Sequence, residues 1–197
     1  NLILLALILT SCNPIKEVDD KLVLSQDRSI IVIQKNYLSE DEILKIGRLI
    51  EEGISDLVNE AGSTKIRSIY PIEVNISATN GLSSSDGNKI TLSYVKEGYS
   101  LYIHELTHSL FGLHKYTWLS EGFSEYMQEK YSKTEPQPWA NTPIDNFCSY
   151  LLSLNNENVN KALSKIGGKL NITLRKNVLS EEEIRAFYAF SKSFVTY

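Results

Sequence analysis

The sequence is poor in cysteine, methionine and histidine, and it lacks both a long apolar run and a block of basic residues. Only two cysteines, Cys12 and Cys148, occur among 197 residues, which excludes a disulfide-stabilised scaffold. A net charge of −4 without a basic cluster excludes nucleic acid as an expected partner. The one strongly apolar run, at the start of the chain, is shorter than the roughly 20 residues that span a membrane. A chain of this length can form one domain of ordinary size.

That apolar run ends at Cys12. Residues 2–11 are almost entirely leucine, isoleucine and alanine before two small polar residues, which is typical of the apolar region of a secretory signal. Leu9-Thr10-Ser11-Cys12 resembles a bacterial lipobox, which implies cleavage before Cys12 and acylation of that cysteine. We therefore expect a lipoprotein held at the outer face of a bacterial membrane by its lipid anchor. A buried strand or helix is the alternative interpretation of this segment.

These features divide the chain into three parts. Residues 1–11 are expected to be a lipoprotein-type signal peptide, 12–21 a tether and 22–197 a single domain. The missing initiator methionine predicts that the natural chain begins earlier, and the aromatic helical pattern still running at Tyr197 predicts that it continues further. Cys148 is then the only cysteine of the domain, so we expect a small buried side chain and no intramolecular disulfide.

The pattern with the clearest chemistry is His104-Glu105-Leu106-Thr107-His108. Residues four apart on an α-helix project from nearly the same face, one turn apart. His104 and His108 can therefore bind one metal ion, and Glu105 lies beside them, where it can act on water. A surface helix that merely carries two histidines is the alternative. Apolar neighbours in helical phase favour instead a partly buried pair, and buried imidazoles need partners.

A catalytic zinc ion usually has three protein ligands, and two residues compete for the third place. His114 lies six residues after His108, which is the spacing of the metzincin pattern HExxHxxGxxH. That pattern has glycine where this chain has Phe111, and Gly112 comes one position late for the turn that returns the last histidine to the metal. A metzincin also needs a methionine turn, whereas Met127 lies within a predicted helix.

Glu121 is the stronger candidate for the third ligand. Residues 118–131 predict an amphipathic helix that Thr117 or Ser120 can cap. Glu121 and Glu125 lie one turn apart on one face of this helix. A ligand carboxylate backed by a second carboxylate suits zinc, because Glu125 can accept the remaining ring N–H of either motif histidine. A solvated pair of carboxylates is the alternative.

The segments HELTH and WLSEGFSEY, residues 104–108 and 118–126, together resemble the core of the gluzincin metallopeptidases. They are most similar to the peptidase-MA-like group, with its HELTH…WLxEGxAEY core. The resemblance implies a zincin-like fold and one zinc ion. It implies as ligands His104, His108 and Glu121. It further implies Glu105 as the general base and Glu125 as the support of a zinc-bound histidine.

Two departures from the family pattern limit which of the family's properties the resemblance implies for this chain. The 12 residues between His108 and Glu121 are fewer than in the aminopeptidase and thermolysin branches. No glycine-rich GxMEN motif precedes the helix, so aminopeptidase activity is not implied.

The last predicted helix, Glu181–Tyr197, is similar to a family helix whose tyrosine donates a hydrogen bond to the reaction's oxyanion. This resemblance implies that role for Tyr188, and simple core packing of the aromatic residues is the alternative.

Periodicity along the chain predicts an α+β fold in which strands precede helices, with the zinc between an upper sheet lobe and a lower helical lobe. We expect strands at Leu22–Leu24, Ile30–Gln34, Ile72–Ser77 and Lys89–Val95, and helices at about 40–60, 143–154, 158–166 and 180–196, in addition to the two motif helices. Gly81–Asn88 is expected to be a loop. Asn88–Tyr94 is expected to be the edge strand over the cleft, able to pair with an extended peptide; an ordinary edge strand without a ligand is the alternative.

Taken together, these patterns predict a zinc metallopeptidase, of endopeptidase type, that acts on a peptide or protein substrate. Two other interpretations stay open. The first is a non-catalytic surface lipoprotein that uses a zincin fold as a binding module. The second is a structural zinc site closed by His114 as a fourth ligand. Glu105 argues against both, because neither needs a carboxylate beside an open metal position.

Overall fold

The computed structural model describes residues 15–18, 20–62, 66, 69–112, 117–135 and 181–196. In these residues the chain forms one six-stranded sheet and four helices. This confirms the mixed α+β class expected from the sequence. Several sequence predictions fall outside the described residues: Cys12, Cys148, His114 and the helices expected at 143–154 and 158–166.

The sheet combines antiparallel edges with a parallel centre. Its strands are β1 (Lys16–Val18), β2 (Lys21–Ser25), β3 (Ser29–Gln34), β4 (Ile72–Ile76), β5 (Ser84–Asp86) and β6 (Lys89–Leu92). They lie in the order β1-β2-β3-β4-β6-β5. The pairs β3–β4 and β4–β6 are parallel, and the other three pairs are antiparallel. β1 lies within residues 12–21, the stretch that the sequence assigns to a tether.

A long helix packs against the sheet at β2 and β3, where the side chains of Leu24 and Ile31 lie next to Gly47 of the helix. Helix α1 (Glu40–Ala61) begins at Ser39 with a capping box, in which the Ser39 hydroxyl accepts from the Glu42 N–H and the Glu42 carboxylate accepts from the Ser39 N–H. Its buried apolar residues recur at helical spacing: Ile43, Ile46, Ile50, Ile54 and Leu57. The helix predicted at about 40–60 is therefore confirmed.

The prediction that Asn88–Tyr94 is an edge strand is wrong, because β6 lies between β4 and β5. Residues 84–86, expected to belong to a loop, fold back on β6 as a short antiparallel hairpin. The turn is Gly87-Asn88, and Gly87 has φ +61°, a conformation that glycine adopts readily. The Asp-Gly pair at 86–87 is a hairpin signal, and β5 takes the edge position.

The remaining helices of the described chain are α2 (Tyr102–Phe111), α3 (Thr117–Tyr131) and α4 (Glu181–Thr196). Helix α2 buries Tyr102, Ile103, Leu106 and Leu110. It ends at Gly112, which adopts the left-handed conformation (φ 58°, ψ 35°) and donates its N–H to the His108 carbonyl. Of the described helices, none has the length and apolarity required to cross a membrane.

Helices α3 and α4 approach each other closely at Gly122. A Cβ atom added to Gly122 would overlap the backbone carbonyl group of Ser191 and lie 3.0 Å from the Lys192 nitrogen. The obstacle is backbone rather than the end of a flexible side chain, so α4 would have to move. Glycine at this position therefore sets how near α4 lies to the helix that carries Glu121.

We expect Gly122→Ala to destabilise the fold by about 2–3 kcal/mol, because overpacking outweighs the roughly 1 kcal/mol that alanine gains in a helix. For a chain of this size, thermal unfolding followed by circular dichroism should show a midpoint about 5–10 °C lower. Gly81→Ala is the control, since the nearest atom to its added Cβ is 3.8 Å away. A Gly122→Ala protein as stable as wild type would show that the two helices can separate without cost.

Candidate metal centre

Three side chains from α2 and α3 converge on one point. The two helices run antiparallel, so the start of α2 faces the end of α3. His104 Nε2 and His108 Nε2 lie 3.0 Å apart. Glu121 Oε2 lies 3.3 Å from His104 Nε2 and 3.4 Å from His108 Nε2. These three residues form a group that could hold a metal ion.

The spacing of the three donor atoms fits a tetrahedral ion. Nitrogen and carboxylate ligands lie about 2.0–2.2 Å from zinc, so two such ligands at the tetrahedral angle are about 3.3–3.6 Å apart. The two separations from Glu121 Oε2, 3.3 and 3.4 Å, lie in this range, and the two imidazole nitrogens, 3.0 Å apart, are about 0.3 Å closer than its lower end. Glu121 is 2% exposed and His104 is 4% exposed, and a carboxylate and imidazoles buried together require a cation or protons between them. The donor set therefore suits a divalent cation.

The far nitrogen of each imidazole also lies within 3.1 Å of a polar side-chain atom of α3. His104 Nδ1 lies 3.1 Å from Glu125 Oε1, the residue that the family resemblance assigns to this role. His108 Nδ1 lies 3.0 Å from the Ser120 hydroxyl. An ionised carboxylate can only accept, so it keeps a proton on His104 Nδ1 and leaves Nε2 as the atom that can bind a metal. Ser120 can orient the second imidazole in the same way.

From the sequence, Ser120 was expected only as a possible helix cap, and its contact with His108 was not predicted. The sequence feature that pointed to this contact is the position of Ser120 directly before Glu121, on a helix expected to face His104 and His108. That signal does not say which hydroxyl reaches which ring, because the answer depends on how the two helices cross.

The charges of the ligand residues are strongly coupled. Burial alone would lower the pKa of His104, but hydrogen bonds with Glu121 and Glu125 outweigh it and raise that pKa well above its usual value. Burial would likewise raise the pKa of Glu121, yet hydrogen bonds with both histidines hold it well below its usual value. Without a metal, the neighbouring carboxylates therefore favour the protonated form of His104. A bound cation would replace the proton on His104 Nε2.

Glu105 is a buried carboxyl group beside this cluster, with 4% of its surface exposed. Burial raises its pKa to about 7; positive charge on His104 opposes the shift, and the charges of Glu121 and Glu125 add to it. A carboxyl group with this pKa can both accept and return a proton near neutral pH.

Tyr188 on α4 also lies beside the cluster. Its ring centroid is 6.3 Å from that of His104, and the ring planes are inclined by 57°. The side chain is only half buried, whereas its neighbours Phe187 and Phe190 are almost fully buried. The two phenylalanines thus pack in the protein interior, and the Tyr188 ring lies next to that of His104. His114, the other candidate for the third ligand, lies outside the described residues.

Comparison of the chain with protein-family models, with curated proteins and with solved structures gave no match. The chemistry of the centre therefore has to be inferred from its own residues.

Proposed function

We propose that this protein is a zinc-dependent peptidase with a zincin-like fold. His104, His108 and Glu121 would hold the zinc ion, and Glu105 would act as the general base. The observation that carries the proposal is the convergence of three donor atoms, 3.0–3.4 Å apart, from two buried residues and the partly buried His108, with the carboxyl group of Glu105 beside them. Three protein donors are typical of a catalytic zinc site, whereas a structural site usually closes with four.

The positions of the individual groups support the roles that we assign to them. A zinc ion in this centre would supply Lewis-acid chemistry, polarising the scissile carbonyl group and lowering the pKa of water towards neutrality. Glu105, whose pKa is about 7, takes a proton from the attacking water and passes it to the departing amine. Tyr188 donates a hydrogen bond to the carbonyl oxygen as negative charge develops there. Glu125 and Ser120 hold the two imidazoles in orientation.

An extended peptide is the substrate that suits the surroundings of the centre. The β5–β6 hairpin is joined to the motif helix, because the Ser109 hydroxyl donates to the Gly87 carbonyl. In the described part of the sheet, β5 has a neighbour on one side only, which leaves its outer edge for main-chain pairing with a peptide. The outer edge of β5 is thus the proposed site of peptide pairing, in place of Asn88–Tyr94. Main-chain pairing makes few demands on substrate sequence and fits an endopeptidase.

The proposal is tested by incubating the purified protein with casein and with a peptide library. We expect cleavage of internal bonds that stops on addition of a chelator and returns with zinc. Binding of a protein partner with no cleavage under any condition would favour the binding module instead.

The proposed location is the outer face of a bacterial membrane, with Cys12 as the lipid-bearing residue. Cys12→Ser removes the thiol that would be acylated, so we expect the protein to be released from the membrane fraction or left unprocessed. Cys148→Ser is the matched control and should leave the location unchanged. Fractionation and mass spectrometry of the N-terminus measure both. Wild-type protein found in the cytosol with residues 1–11 intact would contradict the proposal.

A further inference from the structure

The N-terminus of the motif helix α2 is capped from another helix. Its N-cap residue, Leu101, has no side chain that can accept a hydrogen bond, and none is made there. The first N–H groups of a helix have no partner within the helix, and the third is normally satisfied by a serine, threonine or aspartate at the N-cap. In this protein that third N–H belongs to the metal-binding residue His104.

Gln128 on α3 supplies the missing acceptor. Its Oε1 accepts the His104 backbone N–H at 3.0 Å. Its Nε2 donates to the Ser100 carbonyl, directly before the helix, at 3.4 Å. One amide group therefore holds both the turn that leads into α2 and the first turn of the helix itself.

Gln128 lies on the same face of α3 as the residues of the metal centre. Glu121, Glu125 and Gln128 are separated by four and three residues, so they project from one side of the helix. All three contact His104, through Glu121 at Nε2 (3.3 Å), Glu125 at Nδ1 (3.1 Å) and Gln128 at the backbone nitrogen (3.0 Å). The backbone contact fixes how far α2 can slide along α3, and that register sets the distance between the imidazoles and the carboxylate.

We propose that Gln128 is a positioning residue for the metal centre, acting through the backbone of His104 rather than on the metal or the substrate. The inference rests on the metal site of the proposed function and adds a residue that the motif does not contain. Its consequence is that metal affinity depends on an amide hydrogen bond that includes none of the donor atoms.

Gln128→Met tests this, because methionine has nearly the same size and shape but accepts no comparable hydrogen bond. We expect the dissociation constant of the Gln128→Met protein for Co²⁺ to rise about 10-fold. This is the lower end of the effect usually seen when a group that supports a metal ligand is lost. We also expect the visible absorption of the Co²⁺-saturated protein to change, since these bands follow coordination geometry. The measurement needs Co²⁺ alone and no substrate.

Two further variants separate positioning from general stability. Gln128→Glu keeps an oxygen that can accept the His104 N–H, and its negative charge suits a helix N-terminus, so we expect Co²⁺ affinity within about threefold of wild type. Thr134→Val removes a different hydrogen bond to the Ser100 carbonyl, made at 2.9 Å, and leaves the His104 N–H capped. It should retain wild-type affinity and absorption.

The outcomes distinguish this inference from the proposed function. A Gln128→Met protein that melts at a lower temperature without metal, but binds Co²⁺ with wild-type affinity and absorption, would overturn the positioning role alone. A wild-type protein that takes up no Co²⁺ would overturn the metal centre, and the role of Gln128 with it. If Gln128→Met fails to fold, failure of Gln128→Glu to bind Co²⁺ in a folded protein would equally contradict the positioning role.

Discussion

Replacing Glu121 with alanine is expected to remove the metal ion and abolish peptide hydrolysis together. The carboxylate supplies one of three donor atoms, and it lies within 3.4 Å of both histidine nitrogens. Two imidazoles alone make a much weaker site, so zinc measured by elemental analysis should fall from one per chain to a small fraction. Activity should fall by more than the ~10⁴-fold upper range of a lost general base, because nucleophile and electrophile activation disappear at once.

The control for Glu121→Ala is Glu135→Ala, which removes an exposed carboxylate just beyond the end of α3. It should keep wild-type zinc content and activity. Zinc retained at full occupancy in Glu121→Ala would show that another residue completes the centre. His114 would then be the first residue to test, since the sequence placed it in competition with Glu121.

Replacing Glu105 with glutamine is expected to separate metal binding from catalysis. Glutamine has nearly the same shape and leaves all three donor residues in place, so zinc should still bind. It cannot take a proton from water, so kcat/KM should fall by about 10²- to 10⁴-fold. Folding should not suffer, because burial and two nearby carboxylates already disfavour a charge at this position, and glutamine is neutral.

Glu105→Asp is the matched variant for this prediction. It keeps the carboxyl group but withdraws it by one methylene, so we expect activity between those of wild type and Glu105→Gln. Cleavage by Glu105→Gln at the wild-type rate would refute the role of Glu105. Loss of zinc from Glu105→Gln would mean instead that Glu105 supports the centre itself.

The sequence predicted the features that depend on the residues of a single helix. Helix α1 was predicted from a capping box at Ser39 and apolar residues at helical spacing, and the structure has both. The proximity of His104 and His108 follows from helix geometry alone, because residues four apart share a face. Glu121 was preferred as the third ligand for its place on a predicted helix, and the family resemblance then supplied the expected relation between the two helices.

The contacts that the sequence did not predict all depend on how separate elements meet. Ser120 reaches His108, and Gln128 reaches the His104 backbone, because α2 and α3 cross at a particular register that no spacing within one helix specifies. The edge strand was misplaced because a two-residue turn at Gly87 adds a three-residue strand outside β6. Three residues are too few to show the alternation by which strands are recognised.

The proposed function depends on a metal ion bound by His104, His108 and Glu121. Its most direct test is a zinc titration of metal-free wild-type protein, with hydrolysis of a peptide library measured at each zinc concentration. We expect no hydrolysis without zinc and a linear rise that reaches a plateau at one zinc ion per chain. Hydrolysis at the full rate by the metal-free protein, or no hydrolysis at full zinc occupancy, would contradict the proposed function.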